Sequence, residues 1–141
     1  MTDEIITQLS IFVNNEPGRL AAVAGIFKDC KINMKACNLA ESTEFGILRA
    51  IVDDPEESYE KIRAKGAIVR KTEIIGVAIG NAPGSLFEAA DVLGKANINI
   101  EYGYAYSAKG GEGLFIRVDD PQKAVTALKA AGIKLIKGSE I

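Results

Sequence analysis

Apolar residues in this chain switch between two rhythms, and the order of the switches predicts the elements. QLSIFV (8–13) and IIGVAIG (74–80) are β-rich runs that each end at an Asn-x-Pro-Gly turn, so both are expected to be strands. From Arg19 to Asp29, Leu20, Val23, Ala24 and Phe27 recur at helical spacing; Leu86, Ala89, Ala90 and Leu93 fill the same slots later in the chain. Each set predicts a helix with one apolar face. INMKACNLA (32–40) and INIEYGYAY (98–106) return to alternation, and after the turns ESTEFG and SAKGGEG come ILRAIV and LFIRV, which predicts a hairpin in each half. Asp-Asp-Pro then opens a second helix, with Asp54 and Asp120 suited to the N-cap and Pro55 and Pro121 to the first turn. Tyr59 and Ile62, then Val125 and Leu128, give that helix a buried side, and Gly66 and Gly132 are placed to end it in the left-handed conformation. AIVRKTEII (67–75) and IKLIKGSEI (133–141) read as closing strands.

The two halves are one unit written twice. Pro83 lies 66 positions after Pro17, and the same offset superposes Asn15 on Asn81, Gly18 on Gly84, Leu20 on Leu86, Ile32-Asn33 on Ile98-Asn99, Asp53-Asp54-Pro55 on Asp119-Asp120-Pro121 and Gly66 on Gly132 without a gap. So long a period describes a small domain rather than one turn of a solenoid. The order βαββαβ, repeated, predicts an α+β protein of two ferredoxin-like units, residues 1–70 and 71–141, each a four-stranded antiparallel sheet with two helices on one face. The closing strand of the first unit runs into the opening strand of the second with no linker, so the sheets are expected to join side by side into eight strands. A unit of about 70 residues is near the lower limit for burying its own core, which favours two units packed together.

Composition narrows the chemistry. Seventeen Lys and Arg against 19 Asp and Glu give a net charge of −2, with the lysines scattered among acids, so no basic face is expected for direct nucleic-acid binding. No segment has the roughly 20 apolar residues of a membrane span. MTDEIITQLS lacks the basic and apolar regions of a secretory signal, and the expected location is the cytoplasm. Cys30 and Cys37 match neither a C-x-x-C pair nor a metal-ligand set and are read as small, partly buried residues. Histidine is absent, which removes the commonest general base and metal ligand; no catalytic residue, metal or cofactor is assigned.

A strand running into Asn-x-Pro-Gly-x-Leu, a hydrophobic helix and an Ile-Asn strand start, here NNEPGRL with Ile32-Asn33 and GNAPGSL with Ile98-Asn99, resembles the ACT domain of amino-acid-sensing regulatory proteins. The resemblance covers both halves and implies a stand-alone tandem ACT protein that binds a free amino acid where two such units meet and forms a homodimer. It places ligand contacts at Asn15, Pro17, Gly18, Arg19, Leu20 and Asn33, and at Asn81, Pro83, Gly84, Ser85, Leu86 and Asn99. A helix N-terminus with free N–H groups suits a carboxylate, glycine permits close approach, and asparagine offers a donor and an acceptor to a zwitterion. The alternative is a protein-interaction subunit of a biosynthetic enzyme, or a regulator's partner, with ligand binding secondary. The family often has Gly before the Ile-Asn step, where this chain has Lys31 and Asn97; the turns also differ, Glu16 and Arg19 against Ala82 and Ser85.

Several residues admit plainer readings. Asn15 and Asn81 can equally satisfy backbone groups of the turn, and Asn33 and Asn99 can cap a loop. Tyr102, Tyr104 and Tyr106 lie at period two and would share one sheet face; they are read as inter-domain or subunit packing, each hydroxyl reaching an edge, with stacking against a ligand as the alternative. Lys109–Gly113, KGGEG, lacks the order of a phosphate loop and sits between strands, so it is read as a hairpin turn.

Overall fold

The computed structural model describes residues 3–41, 45–80, 83–108 and 111–141. Chain order is β1 (Ile5–Asn14), α1 (Arg19–Asp29), β2 (Met34–Glu41), β3 (Phe45–Val52), α2 (Pro55–Ala64), β4 (Val69–Ala78), α3 (Ser85–Lys95), β5 (Ile100–Ala108), β6 (Gly111–Val118), α4 (Pro121–Ala130) and β7 (Leu135–Ile136), then a 3-10 turn at Gly138–Glu140. The described strands number seven rather than eight, because β4 carries the last strand of the first copy and the first strand of the second in one run.

The chain divides into two compact units, Thr7–Thr72 and Met1–Ile6 with Glu73–Ile141. Beside the expected boundary at residues 70 and 71, the division lies two residues later, and the first six residues group with the second copy. In the first copy the strand order is β2-β3-β1-β4, and in the second β5-β6-β4-β7, the ferredoxin-like order each time. Register is duplicated too: Asn38 faces Arg49 and Tyr104 faces Phe115, and each hairpin carries an irregularity at the same place, Met34/Ala36 and Ile100/Tyr102.

Both helices of a copy cover one sheet face. In the first, Val23 and Phe27 of α1 and Ile62 of α2 pack on Leu9, Ile11, Leu48 and Ala50, alternate residues of β1 and β3. In the second, Ala89, Leu93, Val125 and Leu128 pack on Ile75, Val77, Ile116 and Val118. The sequence pattern errs in the first turn of each opening helix: Leu20 is 42% exposed and Leu86 56%, so the apolar stripe starts one turn later than expected.

Helix ends follow the sequence closely. Asp54 Oδ1 accepts the Glu57 N–H at 3.1 Å and Asp120 Oδ1 the Lys123 N–H at 3.1 Å, the N-caps expected of the Asp-Asp-Pro steps. Positive φ falls at Gly18, Lys31 and Gly66 and again at Gly84, Asn97 and Gly132, the same three slots 66 residues apart. Lys31, at φ 57, adopts a conformation that costs an L-residue about 1–2 kcal/mol, whereas Asn97 tolerates φ 59 more readily. The expected closing strand of the second copy is short. After Ile136 the chain leaves β4, where Gly138 N donates to Asp3 O at 2.9 Å and Ser139 Oγ to Asp3 Oδ2 at 2.7 Å. Lys129 Nζ also reaches Glu4 Oε1 at 3.3 Å.

These contacts make the first six residues part of the second copy. A chain starting at residue 7 should therefore lose amide protection around Ile136–Ile141 first, with Thr7–Thr72 less affected. Hydrogen exchange read by mass spectrometry checks this, and uniform loss across both copies would contradict it.

Candidate functional site

At the first turn, Glu16 N donates to Asn14 O at 2.9 Å and Arg19 N to Glu16 O at 3.2 Å, which folds the chain back before the helix starts. Gly18, at φ 86, then enters α1, and Ala22 N reaches Gly18 O at 3.0 Å as the first helical bond. No side chain caps α1, and among the described residues the N–H groups of Leu20 and Ala21 have no acceptor. α3 opens the same way on Gly84, at φ 92, again without a side-chain cap. Each N-terminus carries roughly half a positive charge, and that of α1 presents unpaired donors. A Cβ on Gly18 or Gly84 would meet nothing within 4 Å. The glycines are needed for their left-handed backbone, and the space beyond them is open.

Asn15 and Leu20 line a small cavity of about 70 Å3 together with Val13, Asn14, Glu16 and Leu39, floored by Gly46. A Cβ at Gly46 would lie 3.2 Å from the Ala40 carbonyl, so the hairpin needs glycine there. Asn14, Leu39 and Gly46 were not singled out in the sequence; the exposed apolar Leu39 on an edge strand was the available signal. Arg19 instead lines a wider groove of about 310 Å3 between α1 and Lys65–Ile68, and its Nε is 3.4 Å from Glu16 Oε2. Pro17 and Gly18 are exposed beside the cavity.

Asn33 is exposed just before β2, beyond the far end of α1, about 16 Å of helix from Gly18. One copy therefore does not gather its turn and its Ile-Asn step at a single point. Asn99 holds the corresponding position, its N–H donating to Asp119 Oδ1 at 3.2 Å and its carbonyl accepting from Asp119 N at 3.2 Å. In the second turn Pro83, Gly84 and Leu86 are exposed and Ser85 half-buried. Asn81, like Lys109 and Gly110 of the KGGEG turn, lies outside the described residues.

Tyr104 and Tyr106 pack against one ring of their own hairpin. Tyr106 stacks on Phe115 at 4.0 Å between centroids, and Tyr104 tilts against the same ring at 5.6 Å. The Tyr106 hydroxyl does not reach an edge: it is buried and has no hydrogen-bond partner among the described residues. In the first copy the equivalent face is polar, with Arg49 Nη1 donating to Asn38 Oδ1 at 3.3 Å and Gln8 Nε2 to Ser10 Oγ at 3.0 Å.

A family model described as an ACT domain pair matches residues 4–140. The chain belongs to the ACT domain pair family. A crystallised protein from Bacteroides thetaiotaomicron resembles this ACT pair with a TM-score of 0.88 at 33% identity, over 97% of this chain and 95% of its own. The ligand-free regulatory subunit of aspartate kinase from Thermus thermophilus gives 0.59 at 18% identity, over 94% and 97%. Aspartate kinase from Synechocystis gives 0.60 at 17%, over 97% of the ACT pair but 28% of the kinase chain. The last two likenesses are of fold. Comparison with curated proteins gives no match. Among the described residues no group of three or more Cys, Asp or Glu is placed to hold a metal ion.

Burial, with a smaller contribution from Glu140, raises the Tyr106 hydroxyl from 10.0 to about 12. The folded state thus keeps a proton that the unfolded chain releases, so stability should fall as pH rises from 10 toward 12. Tyr106→Phe should remove this part of the alkaline loss and leave stability at pH 7 unchanged or higher, because the hydroxyl has no partner to lose. Urea melts of both proteins at pH 7, 10 and 11.5 read the difference.

Proposed function

We propose that this ACT pair is a non-catalytic regulatory sensor of a free amino acid, with the ligand carboxylate received at the N-terminus of α1, α3 or both. The observation that carries the reading is the helix start on a left-handed glycine without a side-chain cap, present in both copies, with the Leu20 and Ala21 N–H groups of α1 open to a ligand. Asn15 and Leu20 beside it supply a polar and an apolar contact. Pro17, Gly18 and Arg19 complete the first set, with Asn33 in the role the family gives it; Asn81, Pro83, Gly84, Ser85, Leu86 and Asn99 make the second. A ligand of about ten heavy atoms at roughly −0.6 kcal/mol per atom would bind near −6 kcal/mol, a Kd of tens of micromolar, suited to following a metabolite pool.

Regulation of amino-acid metabolism is the role this reading implies, and the name of the Thermus thermophilus relative, a regulatory subunit, supports it. Binding can shift an assembly or a partner's activity only through its differential affinity for two states. The reading includes a homodimer in the cytoplasm. The unpaired Cys30 and Cys37 suit a reducing compartment, and no described helix is long and apolar enough to cross a membrane.

A second reading, an interaction subunit of a biosynthetic enzyme, is favoured by Leu86 and Phe87, which stand 56% and 69% exposed on α3. A thermal-shift screen of the standard amino acids separates the two. At about 100 times its Kd a ligand should add roughly 2.7 kcal/mol, several degrees of Tm. Gly18→Asn with Gly84→Asn keeps a residue that tolerates the left-handed backbone while placing a side chain over the donors, and should abolish the shift. A shift that persists in this double variant rules out the turns as the site. If no amino acid moves the Tm, the interaction reading replaces the sensor.

A further inference from the structure

The second copy has a hollow lined by three lysines. It lies where α4 ends and β7 begins, is an open depression of about 400 Å3, and is lined by Ile133 and Leu135 and by Lys129, Lys134 and Lys137. Glu4 is the one carboxylate that lines it, and it is neutralised at 3.3 Å by Lys129. The neighbouring acids have other partners: Glu140 Oε1 accepts the Lys137 N–H at 3.0 Å, and Asp3 Oδ2 accepts from Ser139. Lys134 and Lys137 are exposed, and among the described residues neither has an ion-pair partner.

An exposed lysine needs no explanation, but the duplication supplies an internal control. At the same places in the first copy, Lys71 is bound to Glu56 at 2.9 Å, Arg63 lies 4.0 Å from Glu60, and position 68 is isoleucine. In the second copy the matching acids are Gln122 and Thr126, and the isoleucine has become Lys134. Residues 120–137 carry a net +3 against +1 for residues 54–71, in a chain whose total is −2. Both segments are a proline-started helix, a left-handed glycine and a strand, so the backbone does not account for the difference. The second segment has one acid against four and four cations against five, and one of those cations, Lys134, stands at the hollow where the first copy has isoleucine.

We propose that this hollow binds a small phosphate-bearing molecule, with the Lys134 and Lys137 ammonium groups on the phosphate and Ile133 and Leu135 against its apolar part. The volume suits a small metabolite. Ammonium groups on flexible stems act as point charges and match a phosphate, whereas the planar pairing preferred by a carboxylate belongs to arginine, which is absent from the lining. A concave cluster also differs from the extended basic stripe that tracks a nucleic-acid backbone. The site is separate from the helix N-termini assigned to the amino acid, so either assignment can fail without the other.

The test is a titration of the full chain with inorganic pyrophosphate at low ionic strength, followed by amide chemical shifts. Saturable shifts are expected at Gly132–Lys137, weakening as salt approaches about 0.15 M. Lys134→Ile and Lys137→Gln each lie at an exposed position and should each weaken binding by about fivefold or more, while the rest of the spectrum reports an intact fold. Ile68→Lys in the first copy should leave the affinity unchanged. Shifts that never saturate or spread over all lysines would overturn the assignment, as would unchanged affinity in the two lysine variants. Binding of a poly-glutamate peptide without binding of pyrophosphate would also overturn it, in favour of an acidic protein partner.

Discussion

Backbone handedness at the ends of the helices is the constraint on which this structure depends. A strand that must reverse into a helix, and a helix that must reverse into a strand, need a residue the L-series resists placing at positive φ. The chain meets this need at three slots per copy: residue 18 or 84 opens a helix, 31 or 97 closes it, and 66 or 132 closes the next. Glycine fills four of the six. With these reversals fixed, the spacing of Val23 and Phe27, or Ala89 and Leu93, leads both helices onto one sheet face. At α1 the same geometry leaves the Leu20 and Ala21 N–H groups without an acceptor among the described residues, so the device that shapes the fold also opens donors at a helix start.

Matching slots of the two copies carry different surfaces. At the sheet position where the first copy joins Asn38 to Arg49, the second stacks Tyr104 and Tyr106 on Phe115. Where the first neutralises Lys71 with Glu56, the second has Lys137 and Gln122. The opening turns differ in kind as well, since Glu16 and Arg19 pair at 3.4 Å in one and their counterparts are Ala82 and Ser85 in the other. Exposed substitutions away from the reversals and the two cores cost a fold little, which leaves room for the two surfaces to differ.

Elements governed by local chemistry were legible in the sequence, and those governed by distant contacts were not. Asp54 and Asp120 cap their helices as the Asp-Asp-Pro steps predict, because an N-cap is decided within four residues. Leu20 and Leu86 match the helical period but point outward, since period alone does not say where along a helix its cover begins. β7 stops after two residues because Asp3, more than a hundred positions away, takes the backbone of Gly138. In the candidate site Asn15 could be named from its turn, whereas Leu39 and Gly46 enter the cavity through the pairing of a hairpin with β1. The hollow at Lys134 was invisible for the same reason: Glu4 reaches it from the other end of the chain.

That grouping of Met1–Ile6 with the second copy sets an order of events during synthesis. Asp3 and Glu4 have their partners, Lys129, Gly138 and Ser139, more than a hundred positions further along the chain. At roughly 5–20 residues per second, the opening of the strand waits on the order of ten seconds with one end unmatched. Thr7–Thr72 holds all of its own core and can close in that interval. The leading segment then docks after Thr7–Thr72 has closed, so the copy that holds the earliest residues is the later of the two to be completed.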